Sequence, residues 1–163
     1  MTVHGIARTL PNGFHDAFLR GFTVDYLRRV AIFDIEAWTG DLRSDTAKVR
    51  DTYRRLTLTV TGLLICHIET PDLEALYSVD RGQDIDLLPE RLTFDGLTLV
   101  SNELPVGASC CTFAFTQQHN SYIHIAAMDA VSEWLDEAHP IYPFDDAPVL
   151  PHNAFTSSDL FAP

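Results

Sequence analysis

A chain of 163 residues is the length of one domain. It can bury roughly 70% of the surface its unfolded form exposes, so it folds without disulfide or metal staples. Its 23 acidic residues against 11 Lys and Arg give a net charge of −12, which argues against nucleic-acid and anionic-membrane partners and suits a basic protein partner.

Three cysteines, Cys66, Cys110 and Cys111, form no disulfide framework. Cys110 and Cys111 are neighbours in a strand-like run, where side chains point to opposite faces. Reduced thiols and a cytoplasmic home are therefore expected. The start, Met1-Thr2-Val3-His4-Gly5, lacks a charged region followed by an apolar run, so no signal peptide is expected. No apolar run approaches the ~20 residues of a membrane span.

Residues 1–13 read as a lead-in closing on the turn signal Pro11-Asn12-Gly13. Residues 17–26 predict a first strand with Phe22, Val24 and Tyr26 on one face. Residues 29–38 predict a second, with Phe33, Ile35 and Ala37 opposite Asp34 and Glu36. Only Leu27 and Arg28 separate them, so they should form a hairpin whose turn, lacking Gly or Asn, has no assigned type. Residues 39–50 are a polar loop with one helical turn at most.

The plainest pattern is Leu56-Thr57-Leu58-Thr59-Val60-Thr61, which buries the apolar residues and shows the threonines to the other side. It belongs to a long strand over about 52–69, bent or bulged at Gly62. Thr70-Pro71-Asp72 then signals a short helix through Tyr77, and residues 78–91 read as a loop. Residues 92–100 read either as one strand broken at Asp95-Gly96 or as a tight hairpin around it. Residues 109–117 and 121–127, joined by Gln118-His119-Asn120, form the clearest hairpin. Val131, Trp134, Leu135 and Ala138 fall at helical spacing, so 129–138 reads as an amphipathic helix, with a strand as competitor. From Pro140 onward the chain holds five of its nine prolines and three phenylalanines, an arm that should pack on the domain or on a second copy.

No established catalytic motif is present: no Walker loop, no G-x-G-x-x-G and no zinc-protease spacing. Gly107-Ala108-Ser109-Cys110-Cys111 lacks the second Gly of a nucleophile elbow. The candidate binding residues are His15, Asp16, Arg54, His67 and His124. His15-Asp16 reads as an acid–base or ligand pair, or more simply as a turn in which the carboxylate binds backbone amides. As neighbours in extended chain the two would point apart. His67, His119 and His124 could join His15 on a metal, but no local ligand spacing supports this, so no metal and no cofactor are expected. Arg50, Arg54 and Arg55 around Tyr53 read as an anion site, or as a gatekeeper on an edge strand. Trp38 and Trp134 read as half-buried boundaries of the core.

The opening Leu10-Pro11-Asn12-Gly13-Phe14-His15-Asp16-Ala17 resembles that of a loose set of uncharacterised, small, acidic, β-rich bacterial proteins. The stretches Tyr53-Arg54-Arg55…Gly62-Leu63 and Asn120-Ser121-Tyr122-Ile123-His124-Ile125-Ala126-Ala127 are similar to others in that set. Some proteins with a comparable apolar-His-Asp-small opening are immunity proteins of toxin systems. The resemblance implies a bacterial cytosolic domain of unknown function and carries over no established catalytic residues.

The expected fold is mainly β: an antiparallel sandwich or flattened barrel of about seven to nine strands, with one or two short helices. Residues 1–139 form the domain and 140–163 the arm, which could hold a homodimer. The expected core is Phe22, Val24, Phe33, Ile35, Leu56, Leu58, Val60, Phe113, Phe115, Ile123 and Ile125. The expected function is non-enzymatic protein interaction, immunity-like or adaptor. The alternative is a small-molecule or anion binder, or an enzyme, with a pocket lined by histidine and arginine.

Overall fold

The computed structural model describes residues 1–69, 84–88, 91–94, 97–100, 103–115, 121–135 and 139–140. The protein is mainly β. In chain order the strands are β1 (Ala17–Asp25), β2 (Val30–Trp38), β3 (Thr52–Thr61), β4 (Ile65–Glu69), β5 (Asp84–Leu87), β6 (Arg91–Phe94), β7 (Leu97–Val100), β8 (Ser109–Phe115), β9 (Tyr122–Ala127), β10 (Asp129–Trp134) and β11 (His139–Pro140). Two short helices, α1 (Val3–Ala7) and α2 (Ala47–Arg50), complete the described elements.

One open antiparallel sheet has the order β10-β3-β2-β1-β5-β8-β9-β4, with β11 also pairing β3; β6 and β7 form a separate hairpin. The ends of this order are not independent strands. β4 continues β3 beyond Gly62, and β10 continues β9 beyond Met128. β3 pairs β10 and β4 pairs β9, and two bonds carry the pairing across the bend: Leu64 N–H to Ala126 O at 2.7 Å and Met128 N–H to Thr61 O at 3.2 Å. The sheet is therefore curled like a flattened barrel. Phe33 on β2 and Phe113 on β8 are three strand spacings apart, which would be ~14 Å in a flat sheet. Their ring centroids are 5.2 Å apart across the interior.

That interior is the core. Phe33, Ile35, Leu56, Leu58, Val60, Phe113, Ile123 and Ile125 are buried in one cluster, as their alternation requires. Phe22 and Phe115 are only partly buried against it, and Val24 is 37% exposed. Val3, Ile6, Leu10 and Phe14 of the lead-in also enter the core. Phe14 meets Phe113 edge-on at 5.6 Å. The helical turn that presents Val3 and Ile6 is capped by Thr2, whose Oγ1 accepts the Gly5 N–H at 2.9 Å.

Several expectations need correction. Residues 129–134 are strand, not helix: Ala130 is buried while Val131 and Leu135 face solvent. The apolar spacing mimicked a helix, but β3 offered a whole row of backbone partners, and tertiary pairing outweighs local period. The loop assigned to 78–91 contains β5, which joins β1 to β8 and buries Ile85 completely. The β1–β2 loop is four residues, Tyr26–Arg29, since Asp25 pairs Val30. Only Arg29 takes a left-handed conformation (φ 56°), and Asp25 Oδ1 accepts the Arg28 N–H at 2.9 Å, so no glycine is needed. β3 is flanked by β2 and β10, so its arginines guard no edge.

Residues 92–100 resolve into the hairpin alternative. The helix expected at 70–77, the Gln118-His119-Asn120 turn and the arm from 141 onward lie outside the described residues. His139–Pro140 adds a short pairing to Tyr53 and Thr52. Among the described residues no helix is long and apolar enough to cross a membrane.

Candidate functional site

Cross-strand partners share a face of the sheet, so the register sorts the candidate residues. Asp86 pairs Ala114, Ala114 pairs Tyr122, and Tyr122 pairs Glu69. One step along, Thr112 pairs His124, and His124 pairs His67. All of these lie on the face opposite the core.

His124 is buried there. Its Nε2 lies 3.0 Å from Glu69 Oε1 and its Nδ1 lies 3.0 Å from Thr112 Oγ1. A carboxylate accepts, so Nε2–H donates to Glu69; in the neutral ring Nδ1 then accepts the Thr112 hydroxyl. His67 stacks on His124 with centroids 5.7 Å apart and brings its Nε2 to 3.7 Å from the same Glu69 oxygen. Ser121 Oγ holds the Glu69 carbonyl at 3.1 Å. Sequence reading singled out both histidines but missed Glu69 and Thr112. The signal was a His-x-Glu step in β4 (His67, Glu69), which places both side chains on one face.

His15 and Asp16 sit elsewhere. They do not diverge, because Asp16 adopts φ 49° in a turn before β1. His15 Nε2 lies 3.3 Å from Asp16 Oδ2, and its Nδ1 donates to Asp86 Oδ1 at 2.9 Å. Asp86 Oδ1 also accepts the Asp16 N–H at 3.1 Å. A cleft of about 410 Å³, lined by Ala7, Asn12, Gly13, Phe14, His15, Asp86, Leu87 and Leu88, opens beside them.

Arg54 joins neither group. Its guanidinium lies 4.6 Å from the centroid of the Trp134 ring. Arg55 makes a two-pronged bond to Asp34 (2.7 and 2.5 Å), and Arg50 meets Asp51 at 3.2 Å, so two arginines of the predicted anion site are spent on neighbouring acids. The outward Glu36 is buried and bonds Arg20, which a bulge between Leu19 and Gly21 turns toward it.

A further feature was not foreseen. At one end of the curl, the β1–β2 loop meets the β3–β4 bend: Leu63 N–H donates to Arg29 O at 2.9 Å and Arg29 Nε donates to Leu63 O at 2.8 Å. Met128 packs on Gly62 and on Gly107. Each of these segments exposes apolar side chains: Tyr26 (86%), Leu27 (91%) and Val106 (100%), with Leu64 and Met128 beside them. Isolated exposed apolar residues are ordinary; here several stand on loops that meet at one end.

No family model, curated protein or solved structure matches this chain.

Proposed function

We propose that the domain acts without catalysis, as an immunity-like or adaptor module that binds another protein through the apolar end built by Tyr26, Leu27, Leu64, Val106 and Met128. The carrying observation is the near-complete exposure of Tyr26 and Leu27 on a loop tied by two hydrogen bonds to the neighbouring bend. Exposed aromatic and aliphatic side chains on a preorganised loop lose little entropy on binding. The net charge of −12 would steer a basic partner, so association should slow at high salt. The three free thiols support a reducing compartment.

The test is site-specific photocrosslinking in cell extract from position 27, compared with position 59 on the outer sheet face. A discrete adduct from position 27 alone, lost with Tyr26→Ser, is expected. Equal adducts from both positions, or none from position 27, would overturn the proposal.

The small-molecule reading is favoured by one observation, the convergence of His67 and His124 on Glu69. Arg54 and His15 lie with other partners, so a shared histidine–arginine pocket has less support than the apolar end. Loss of a bound metabolite from the native protein on His67→Ala would favour it.

A further inference from the structure

We infer that His15, Asp16 and Asp86 form a binding site for one divalent transition-metal ion at the mouth of the cleft beside them. Each offers one donor atom, and the three donors lie within 4.8 Å of one another. Ligands bonded to zinc at ~2.0–2.1 Å in a tetrahedron stand about 3.3 Å apart. The pair His15 Nε2 and Asp16 Oδ2 is separated by 3.3 Å, the spacing of two ligands on one ion, while Asp86 Oδ1 rests against the other ring nitrogen, Nδ1, and would swing from there onto the ion.

The chemistry of the set is mixed. One imidazole with two carboxylates suits borderline ions such as zinc, manganese or cobalt better than calcium or magnesium, which take oxygen alone. Among the described residues, neither carboxylate forms an ion pair with lysine or arginine; each has only the imidazole as its charged partner. A divalent cation would neutralise the charge that this leaves.

The donors are also held in place from outside the group. Phe14, just before His15, is buried against Phe113. Ala17, just after Asp16, is fully buried where β1 begins. Asn12 Nδ2 donates to Trp38 O at 3.2 Å and to Gly40 O at 3.0 Å, fixing the start of the turn. Asp86 stands on β5, paired to β8. His15 and Asp16 thus occupy a two-residue link between anchored points, and little ordering is needed to bring them onto an ion. Three protein ligands leave a fourth position for water or a small ligand, and two of the three, His15 and Asp86, line the cleft of about 410 Å³.

Titration of the intact protein with zinc chloride, followed calorimetrically, and with cobalt chloride, followed by visible absorption, tests this. One equivalent is expected to bind, and the cobalt bands should have the intensity of low coordination number. His15→Ala and Asp86→Asn should each weaken binding by at least about tenfold, the minimum seen even when outer-shell partners are removed. The His15 side chain is exposed, and Asp86→Asn keeps the shape of a side chain that is 30% exposed, so circular dichroism should show folded variants. His67→Ala should bind as wild type does. Absence of saturable binding, or binding that survives both His15→Ala and Asp86→Asn, would overturn the inference, as would binding lost with His67→Ala instead.

Discussion

His124 and Glu69 meet diagonally across the β4–β9 ladder. The direct partner of His124 is His67, yet its Nε2 reaches 3.0 Å from the carboxylate two residues further along β4. Diagonal pairs of this kind lie within reach of long side chains, and the burial of His124 makes this one costly to break.

Glu69→Ala should therefore destabilise the protein by about 2 kcal/mol, the scale of a hydrogen bond to a charged group with its buried partner left behind. His67→Ala should cost less, since its side chain is one-third exposed and its Nε2 stands 3.7 Å from the carboxylate. Urea unfolding midpoints of the two variants give the comparison. A larger loss from His67→Ala would show that the stacking, not the carboxylate, holds this face.

The outer face offers a second measurement at Thr112. Thr112→Val keeps the shape but removes the hydroxyl 3.0 Å from His124 Nδ1, and should cost about 1–2 kcal/mol. Thr59→Ala, at a half-buried position on the outward side of β3, should change stability by less than about 0.5 kcal/mol and serves as the reference.

Burial pushes the Cys111 thiol far above its ordinary value of 9.0, and the adjacent Cys110 raises it further. In the unfolded chain the thiol ionises near 9.0, while in the folded protein it keeps its proton. The folded state then binds more protons, so stability is intact below pH 9.0 and falls as pH rises past it. Cys111→Val should flatten this alkaline fall relative to wild type in denaturant titrations at several pH values. An unchanged slope would place the loss on other groups. Alkylation should reach Cys66 first, because the other two thiols are buried.

Two glycines should fail differently. At Gly62 (φ +63°) an added Cβ would sit 2.8 Å from Met128 Cβ and Cγ. Gly62→Ala should cost about 2 kcal/mol, and adding Met128→Ala should recover only the part due to the Cγ contact. At Gly40 the Cβ would lie 1.8 Å from the Arg50 carbonyl oxygen, which also accepts the Trp38 Nε1–H at 2.7 Å. Gly40→Ala should cost more and find no single-residue rescue. Thermal melts of the three variants check the order.

Phe113 touches both Phe14 and Phe33, so it ties the lead-in and two facing strands together. Phe113→Ala should cost about 4 kcal/mol, the usual range for a buried aromatic, read as the shift in the unfolding midpoint.

Much of this architecture was legible in the chain because its signals are local. The alternation in 56–61 and 121–127 assigns each side chain to a face, and Gly62 sits where the long strand bends. The Asp95-Gly96 break separates β6 from β7. The misreadings share a cause. Residues 129–134 and 84–87 carry weak or misleading local periods, and each becomes strand because a neighbour presents unpaired backbone groups. That supply of partners depends on where β3, β1 and β8 already lie.

The site residues divide the same way. The residue types that carry chemistry, and the faces on which His67 and His124 stand, follow from period two and are properties of the sequence. That His124 meets Glu69 rather than His15, that Asp16 turns back to His15 beside Asp86, and that Arg54 lies over Trp134 depend on separations of up to 80 positions along the chain (Arg54 to Trp134). Strand order and register set those meetings. They are decided by which curled arrangement buries Phe33 against Phe113, a long-range packing choice that no local pattern encodes.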